Sequence, residues 1–234
     1  LQIPDFGEAD ISSEVSSKEE ALAWIEQMIQ EGQLIPSFDD LISEDYVVNF
    51  PDPIVIFVNT SFINNKAESK GGAIYANTDV TIKADNGTSL FKGNTANGES
   101  NAIYLDNADK TINLVAVNKG VIQFDDKIDG AAGYQVKISG DNAKSSVLLN
   151  NNVDNASVTS EKVYLNLGKN NVFENSDFTI NSGTLGFING VAEQQIMKSA
   201  NINGSIDLAL DVDLQNEKMD TLPEDVIVSD TSKI

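Results

Sequence analysis

Two stretches of this sequence decide the fold: Asn59-Thr-Ser-Phe-Ile-Asn-Asn-Lys-Ala67 with Gly71-Gly-Ala-Ile-Tyr75 behind it, and Thr88-Ser-Leu-Phe-Lys-Gly-Asn-Thr-Ala96 with Ser100-Asn-Ala-Ile-Tyr104 behind it. Six residue pairs recur at a single offset of 29, namely Phe62 and Phe91, Asn65 and Asn94, Ala67 and Ala96, Ala73 and Ala102, Ile74 and Ile103, and Tyr75 and Tyr104. A fixed period of roughly 20 to 50 residues is typical of proteins built from stacked repeats. The two copies are therefore expected to lie one on the other.

This stacking predicts ladders of equal side chains. β-Prone runs separated by turn-forming residues surround the two copies, and parallel strands of successive coils lie about 4.8 Å apart. Phe62 over Phe91 is then an internal aromatic stack. Asn65 over Asn94 is an amide ladder that satisfies backbone groups at an inward bend.

The glycines of the first copy predict a tight corner. Gly71 and Gly72 are expected to supply positive φ, which glycine adopts at little cost. Ala73 and Ala102 follow as small residues at equivalent positions. Together, the ladders and the corner predict an all-β fold, a right-handed parallel β-helix.

The repeat motifs resemble those of one protein family. Phe-x-x-Asn, at Phe62–Asn65 and Phe91–Asn94, combined with Gly-Gly-Ala-[Ile/Leu/Val], at Gly71–Ile74, resembles the repeat of the polymorphic outer-membrane proteins. The second copy departs from the family pattern, because Ser100-Asn101 stands where the family has Gly-Gly. The resemblance implies a pectin-lyase-like solenoid that is the passenger domain of an autotransporter. It also implies an adhesin role and a location that is secreted or displayed at the bacterial outer membrane.

Composition and charge exclude several classes of function. The 234 residues include 15 Lys, no Arg and 36 acidic residues, which gives a net charge of −21. Such a chain repels nucleic acid and anionic membranes. It contains no Cys and no His, so disulfides, thiol or imidazole catalysis and thiolate or imidazole metal sites are ruled out. No apolar run approaches the roughly 18 residues of a spanning helix, and a start at Leu1 without a leader predicts a mature or trimmed fragment.

Residues 1–50 are predicted to form an N-terminal extension and a small helical cap. Ser17-Lys-Glu-Glu20 is a capping box, and one apolar helical stripe follows it at Leu22, Ile25, Met28 and Ile29. The apolar face of such a helix covers the open end of a β-helix, whose unpaired strand edges otherwise promote aggregation. Binding of a partner by this helix is the alternative.

Residues 51–215 are predicted to form the β-helix, and residues 216–234 an acidic C-terminal tail or last edge strand. At roughly 20 to 29 residues per coil, the β-helix has about six to eight coils. Alternating apolar runs between Asn, Asp and Gly residues predict strands at Ile54–Val58, Val80–Lys83, Ala102–Leu105, Ile112–Val117, Val121–Phe124, Tyr134–Ile138, Ser146–Leu149, Ala156–Thr159, Val163–Leu167, Asp177–Ile180, Thr184–Phe187, Ala200–Ile202 and Ile206–Leu210.

Two groups of carboxylates are candidates for chemistry. Asp207, Asp211 and Asp213 share one face if they lie on one strand, which suits an acid pair of a glycosidase or a calcium site. The second group consists of Asp125, Asp126 and Asp129 and is likewise a candidate for an acid pair or a calcium site. An ordinary solvated strand is favoured for the first group, because apolar residues occupy the alternate positions Ile206, Leu208, Leu210, Val212 and Leu214.

The expected function is that of an adhesin-like binding or presenting rod, secreted or on the cell surface, with no catalysis and no cofactor apart from the calcium candidates. Its expected partner is a protein or glycan of a host or neighbouring cell. Two alternatives remain: a carbohydrate-active β-helix enzyme, either a polysaccharide lyase or a glycoside hydrolase, and a structural spacer. The lack of Arg and His, and the repulsion of polyuronate by an acidic groove, count against the enzyme. The key residues expected are structural: Phe62, Asn65, Gly71, Gly72, Ala73, Phe91, Asn94 and Ala102.

Overall fold

The computed structural model describes residues 55–141 and 144–229, in which the regular structure consists of β-strands. The predicted cap within residues 1–50 lies outside the described residues. The strands are β1 Val55–Val58, β2 Ser61–Ile63, β3 Lys66–Ala67, β4 Ile74–Ala76, β5 Val80–Asp85, β6 Thr88–Lys92, β7 Thr95–Ala96, β8 Glu99–Ser100, β9 Ile103–Leu105, β10 Thr111–Val117, β11 Val121–Phe124, β12 Ile128–Gly130, β13 Tyr134–Gly140, β14 Ser146–Leu149, β15 Ala156–Glu161, β16 Val163–Leu167, β17 Phe173–Ile180, β18 Gly183–Gly186, β19 Met197–Ile202, β20 Ile206–Ala209, β21 Val212–Asp213, β22 Lys218–Met219 and β23 Val226–Val228.

Most of these strands pair in parallel and form three sheets, and within each sheet the strands of successive coils lie side by side. The first sheet has the order β1-β5-β10-β13-β15-β17-β19-β23, the second β2-β6-β11-β14-β16-β18-β20, and the third β4-β9-β12. Each pairing within them is parallel. The chain therefore returns to each sheet once per coil, which confirms the predicted parallel β-helix. The first coil contains β1, β2 and β4, the second β5, β6 and β9, and the third β10, β11 and β12.

Alternation along each strand decides which side chains fill the interior. In β5, Val80, Ile82 and Ala84 are fully buried while the residues between them are half-buried. β13 follows the same pattern, with buried residues alternating with exposed ones. One side of each strand thus contributes to a single apolar core that extends through the described coils.

Asparagine forms many of the corners between strands. Positive φ, which bulky side chains rarely adopt, occurs at Asn59, Asn64, Asn86, Asn97, Asn118 and Asn155. Asn tolerates this conformation because its short side-chain amide forms hydrogen bonds with nearby backbone groups. The abundance of Asn between the strands therefore follows from the many sharp turns of a β-helix.

The last coil differs from the sequence prediction. Strand β20 ends at Ala209, and β21 instead pairs antiparallel with β22. Val212 and Leu214 are consequently 56% and 86% exposed, so the prediction of one alternating strand through Leu214 was wrong. The physical reason is a turn in which the Asp213 carboxylate accepts backbone N–H groups of residues 215 and 216. Further on, β23 pairs with β19 as the last strand of the first sheet.

Candidate functional site

An aromatic stack lies inside the first three coils. The ring centroids of Phe62 and Phe91 are 4.9 Å apart with planes tilted by 16°, and those of Phe91 and Phe124 are 4.2 Å apart with a tilt of 6°. Phe57 contacts Phe62 edge-on at 5.1 Å. Phe91 and Phe124 are buried and Phe62 is partly buried. These rings stabilise the scaffold and leave the outer surface for other roles.

A ladder of polar side chains lies at the bend that follows the second sheet. Asn65 donates from its backbone N and from Nδ2 to Oδ1 of Asn94, at 3.1 and 2.8 Å. The fully buried Asn94 donates from Nδ2 to the carbonyl of Phe62 at 2.9 Å and to Oδ2 of Asp126 at 2.7 Å. Asp126 also accepts the backbone N–H groups of Gly93 and Asn94, at 2.9 and 2.8 Å. The ladder therefore has a third rung.

Sequence reasoning missed Asp126 as this third rung and placed it among the calcium candidates. The hydrogen-bonded residues of the first two rungs are 29 positions apart, whereas Asn94 and Asp126 are 32 apart. In addition, Phe124-Asp-Asp126 is one residue shorter than Phe-x-x-Asn. The available signal was a phenylalanine followed, at the end of a strand, by a side chain that accepts hydrogen bonds.

The corner at Gly71 and Gly72 depends on close contact with the second coil. Gly71 has a φ of +61°, whereas Gly72 lies outside the positive-φ region, so the prediction of positive φ at Gly72 was wrong. A Cβ on Gly72 would lie 2.6 Å from the backbone N and O of Thr95. Asn101 accepts the N–H of Gly71 on Oδ1 at 3.2 Å and that of Gly72 on its carbonyl at 2.8 Å. The residue that replaces glycine in the second copy therefore supports the corner of the first.

The small residues that follow this corner also meet in the structure. The backbone N–H of Ala73 donates to the carbonyl of Ala102 at 2.9 Å, and Ala102 is fully buried. Because this bond joins equivalent positions of the two copies, the repeat register extends through the corner into the third sheet.

The carboxylates Asp207, Asp211 and Asp213 do not share one strand face. Asp207 lies on β20, Asp213 on β21 and Asp211 between them. Asp211 accepts two backbone N–H groups of the turn at residues 189–190, at 2.8 and 2.5 Å, and Asp213 accepts those of residues 215 and 216. Among the described residues, no three acidic side chains gather as a metal-binding group. The predicted common face is therefore wrong, and two of the three carboxylates hold turns.

The second acidic group is also divided among separate partners. Asp125 lies 3.6 Å from Nζ of Lys92, Asp126 belongs to the polar ladder, and Asp129 pairs with Lys127 at 2.8 Å. Each of these carboxylates thus has a local structural role.

The third sheet presents two parallel tyrosines on its outer side. In β4, Ile74 is buried whereas Tyr75 is 55% exposed, and in β9 the residues on either side of Tyr104 are fully buried. Tyr75 and Tyr104 are in register. Their ring centroids are 6.2 Å apart and their planes are parallel to within 7°. Sequence reasoning used both tyrosines only as markers of the repeat, although their position between inward-facing apolar residues indicated exposure.

A lysine and an aspartate flank these rings. Nζ of Lys70 lies 4.1 Å from the centroid of the Tyr104 ring and 3.2 Å from Oδ1 of Asp106. The hydroxyl of Tyr75 donates a hydrogen bond to Oδ2 of Asp106. We refer to Lys70, Tyr75, Tyr104 and Asp106 as the tyrosine patch.

Hydrogen bonds fix the charges of the tyrosine patch. The hydrogen bond from Tyr75 and then that from Lys70 lower the pKa of Asp106, whereas the neighbouring Tyr104 and then the bond to Asp106 raise the pKa of Lys70. The bond to Asp106 also raises the pKa of Tyr75. At neutral pH the patch therefore holds one carboxylate, one ammonium and a neutral Tyr75 phenol.

In the third coil, the outward-facing position of the third sheet is no longer occupied by a tyrosine. Asp129 takes the register position below Tyr104, and Nζ of Lys127 bridges Asp129 and Asp154 at 2.8 and 3.4 Å. Behind Asp129 lies the fully buried Tyr134, whose hydroxyl has no hydrogen-bond partner among the described residues. Burial first, and then the charges of Asp129 and Asp154, raise the pKa of Tyr134. The exposed aromatic surface thus ends at the second coil.

Comparisons with known proteins identify the first copy of the repeat. No curated protein and no solved structure matches the chain, and within the described residues no helix is long and apolar enough to span a membrane. Residues 59–77 match the Chlamydia polymorphic membrane protein repeat. That family is associated with the outer membrane or the surface, which supports a surface or membrane location in broad terms. The match confirms the resemblance seen in the Phe62 and Gly71 motifs, and the chain thus carries, at residues 59–77, a repeat of the Chlamydia polymorphic membrane protein type.

Proposed function

We propose that the chain is part of a surface-displayed passenger protein and acts as an adhesin-like binding or presenting rod without catalysis. The observation that carries the proposal is the tyrosine patch, which places two parallel rings on the outside of a scaffold whose repeat matches a family of membrane proteins. Tyrosine is enriched where proteins bind one another, because it offers a large apolar ring and a polar hydroxyl. The partner is a protein or glycan of a host or neighbouring cell.

The surroundings of the acidic residues favour binding over hydrolysis. A glycosidase needs two carboxyl groups placed across a scissile bond. Asp211 and Asp213 instead accept backbone N–H groups within turns, and Asp129 is paired with Lys127. These engagements support a role of the acidic residues in holding coils and corners.

A binding assay on whole cells tests the proposed function. Fluorescently labelled chain, residues 1–234, is added to cultured animal cells, and an excess of unlabelled chain serves as competitor. We expect saturable binding that the unlabelled chain displaces. In parallel, the chain is incubated with acidic and neutral polysaccharides, and new reducing ends and unsaturated products are measured. Product formation would overturn the non-catalytic proposal. An absence of both binding and products would contradict the binding role and favour the alternative of a structural spacer.

A further inference from the structure

The tyrosine patch already holds one cation, which belongs to the chain itself. The ammonium of Lys70 lies 4.1 Å from the centre of the Tyr104 ring and 3.2 Å from the Asp106 carboxylate. An ammonium or guanidinium over an aromatic face is attracted by the negative potential of that face. The combination of ring and carboxylate therefore suits a positively charged side chain.

The second ring of the patch has no such cation among the described residues. Tyr75 is parallel to Tyr104 to within 7° and is 55% exposed. Its hydroxyl is held by Oδ2 of Asp106, so the ring is fixed in place beside a carboxylate. A carboxylate offers about four lone-pair positions, and Lys70 and Tyr75 each use one oxygen of Asp106. The carboxylate retains capacity for a further donor.

We propose that the tyrosine patch binds a lysine or arginine side chain of a partner protein, which lies over the Tyr75 ring and bonds to the Asp106 carboxylate. The inference deepens the proposed function and rests on it, because it names the chemistry of the partner that the rod binds. The partner segment is basic. Its cation repeats on Tyr75 the contact that Lys70 makes with Tyr104.

Charge complementarity favours a basic protein segment over a glycan. The chain has a net charge of −21, which speeds the approach of basic partners and repels acidic ones. A neutral saccharide gains nothing from this field, and a uronic acid polymer is repelled by it. Arginine suits the site well, because its guanidinium stacks on an aromatic ring and bonds to a carboxylate at the same time.

Nuclear magnetic resonance titration of the full chain with a hexaarginine peptide tests the inference directly. We expect the backbone amide signals of residues 70–76 and 103–107 to shift in a saturable manner. Hexacitrulline is the matched control, because each guanidinium is replaced by a neutral urea of nearly the same shape, and we expect it to leave these signals unchanged. This mapping needs no variant and therefore does not depend on how a substitution folds.

Four substitutions then distinguish the contributions of the aromatic ring, the carboxylate and the net charge to binding. Tyr75→Leu removes the aromatic face and is expected to weaken hexaarginine binding about 2- to 5-fold, whereas Tyr75→Phe keeps the face and most of the affinity. Asp106→Asn is expected to weaken binding as well. Asp207→Asn removes the same charge from an exposed strand about five coils, or ~24 Å, along the stack, beyond the Debye length, and is expected to leave the affinity unchanged.

Several results would overturn the inference. These are equal weakening by Asp106→Asn and Asp207→Asn, equal shifts with hexacitrulline, or shifts at the patch with a neutral chito-oligosaccharide but none with hexaarginine. If the patch does not bind hexaarginine while the labelled chain still binds cells, the inference fails and the proposed function stands. If the patch binds hexaarginine while the chain binds no cells, the proposed function fails instead.

Discussion

The carboxylate of Asp126 holds the bend of the second coil at Gly93 and Asn94. Its two oxygens accept three hydrogen bonds, from the backbone of Gly93 and Asn94 and from the side chain of Asn94, and the residue is only 5% exposed. In Asp126→Asn, an NH2 group faces at least one of these donors and leaves it unsatisfied. We expect the free energy of unfolding to fall by about 2 kcal/mol, measured by urea denaturation.

Asp207→Asn is the matched control for this variant. It removes the same charge from an exposed position on β20, and its expected effect is less than about 0.5 kcal/mol. If both variants lose the same stability, the net charge and not the ladder sets the effect, and the structural role given to Asp126 is wrong.

Substitutions at Gly72 and Gly98 distinguish the cost of close packing from the cost of an unfavourable backbone conformation. A Cβ at residue 72 would meet the backbone of Thr95 at 2.6 Å, whereas Gly98 has a φ of +80° and no atom near its Cβ position. We expect Gly72→Ala to cost about 3 kcal/mol through overpacking and Gly98→Ala about 1 kcal/mol through the left-handed backbone. Thermal and urea unfolding of both variants measures the difference. Equal costs would contradict the role of close contact at Gly72.

At the scale of strands and coils, the aromatic stack joins neighbouring elements. Phe91 is fully buried between the rings of Phe62 and Phe124, whereas Phe62 is only partly buried. We expect Phe91→Ala to cost about 4 kcal/mol, since it leaves a cavity between two rings. Phe62→Ala is expected to cost about 2 kcal/mol. Urea denaturation checks this order, and a larger loss for Phe62→Ala would show that the inner ring is not the centre of the stack.

The sequence allowed the strands of these coils to be predicted better than the lengths of the turns between them. Alternation identified Val121–Phe124, Ser146–Leu149 and Val163–Leu167 with the bounds that the structure has. Coil length varies, however, because strand registry fixes only the sheet positions and the corners project freely to the outside. For example, the coil that leads from Phe91 to its partner Phe124 is much longer than the coil that leads from Leu149 to its partner Leu167. A search for one fixed period therefore finds two coils and misses the third rung.

The candidate site could be predicted only in part for the same reason. The outward direction of Tyr75 follows from its neighbours in β4, because Ile74 is buried. Lys70 and Asp106, in contrast, come from corners of different coils, and no spacing rule places their side chains together. Their contact depends on corner geometry that the sequence pattern does not contain.

For the whole molecule, the excess of negative charge and the hydrogen-bonded aspartates act in opposite directions as the pH falls. The net charge of −21 at pH 7 destabilises the compact state by repulsion, and this repulsion weakens toward the isoelectric point of about 4.1. Five exposed or half-buried aspartates have a pKa below the ordinary value of 3.8, mainly because of hydrogen bonds from Asn118, Tyr75, Lys198 and Asn216: Asp85, Asp106, Asp141, Asp177 and Asp213.

These two effects predict a melting temperature that is highest near the isoelectric point. The folded chain holds its five aspartates ionised at a lower pH than the unfolded chain does, so their contribution is fully present above the ordinary pKa and is lost as the pH falls through the lower folded values. Relief of repulsion raises stability before that loss begins. Calorimetry in about 0.02 M and about 0.5 M NaCl separates the two, because screening should raise the melting temperature at pH 7 and change it little near pH 4. A melting temperature that falls steadily from pH 7 to pH 4 without dependence on salt would mean that repulsion is not the main electrostatic influence on this fold.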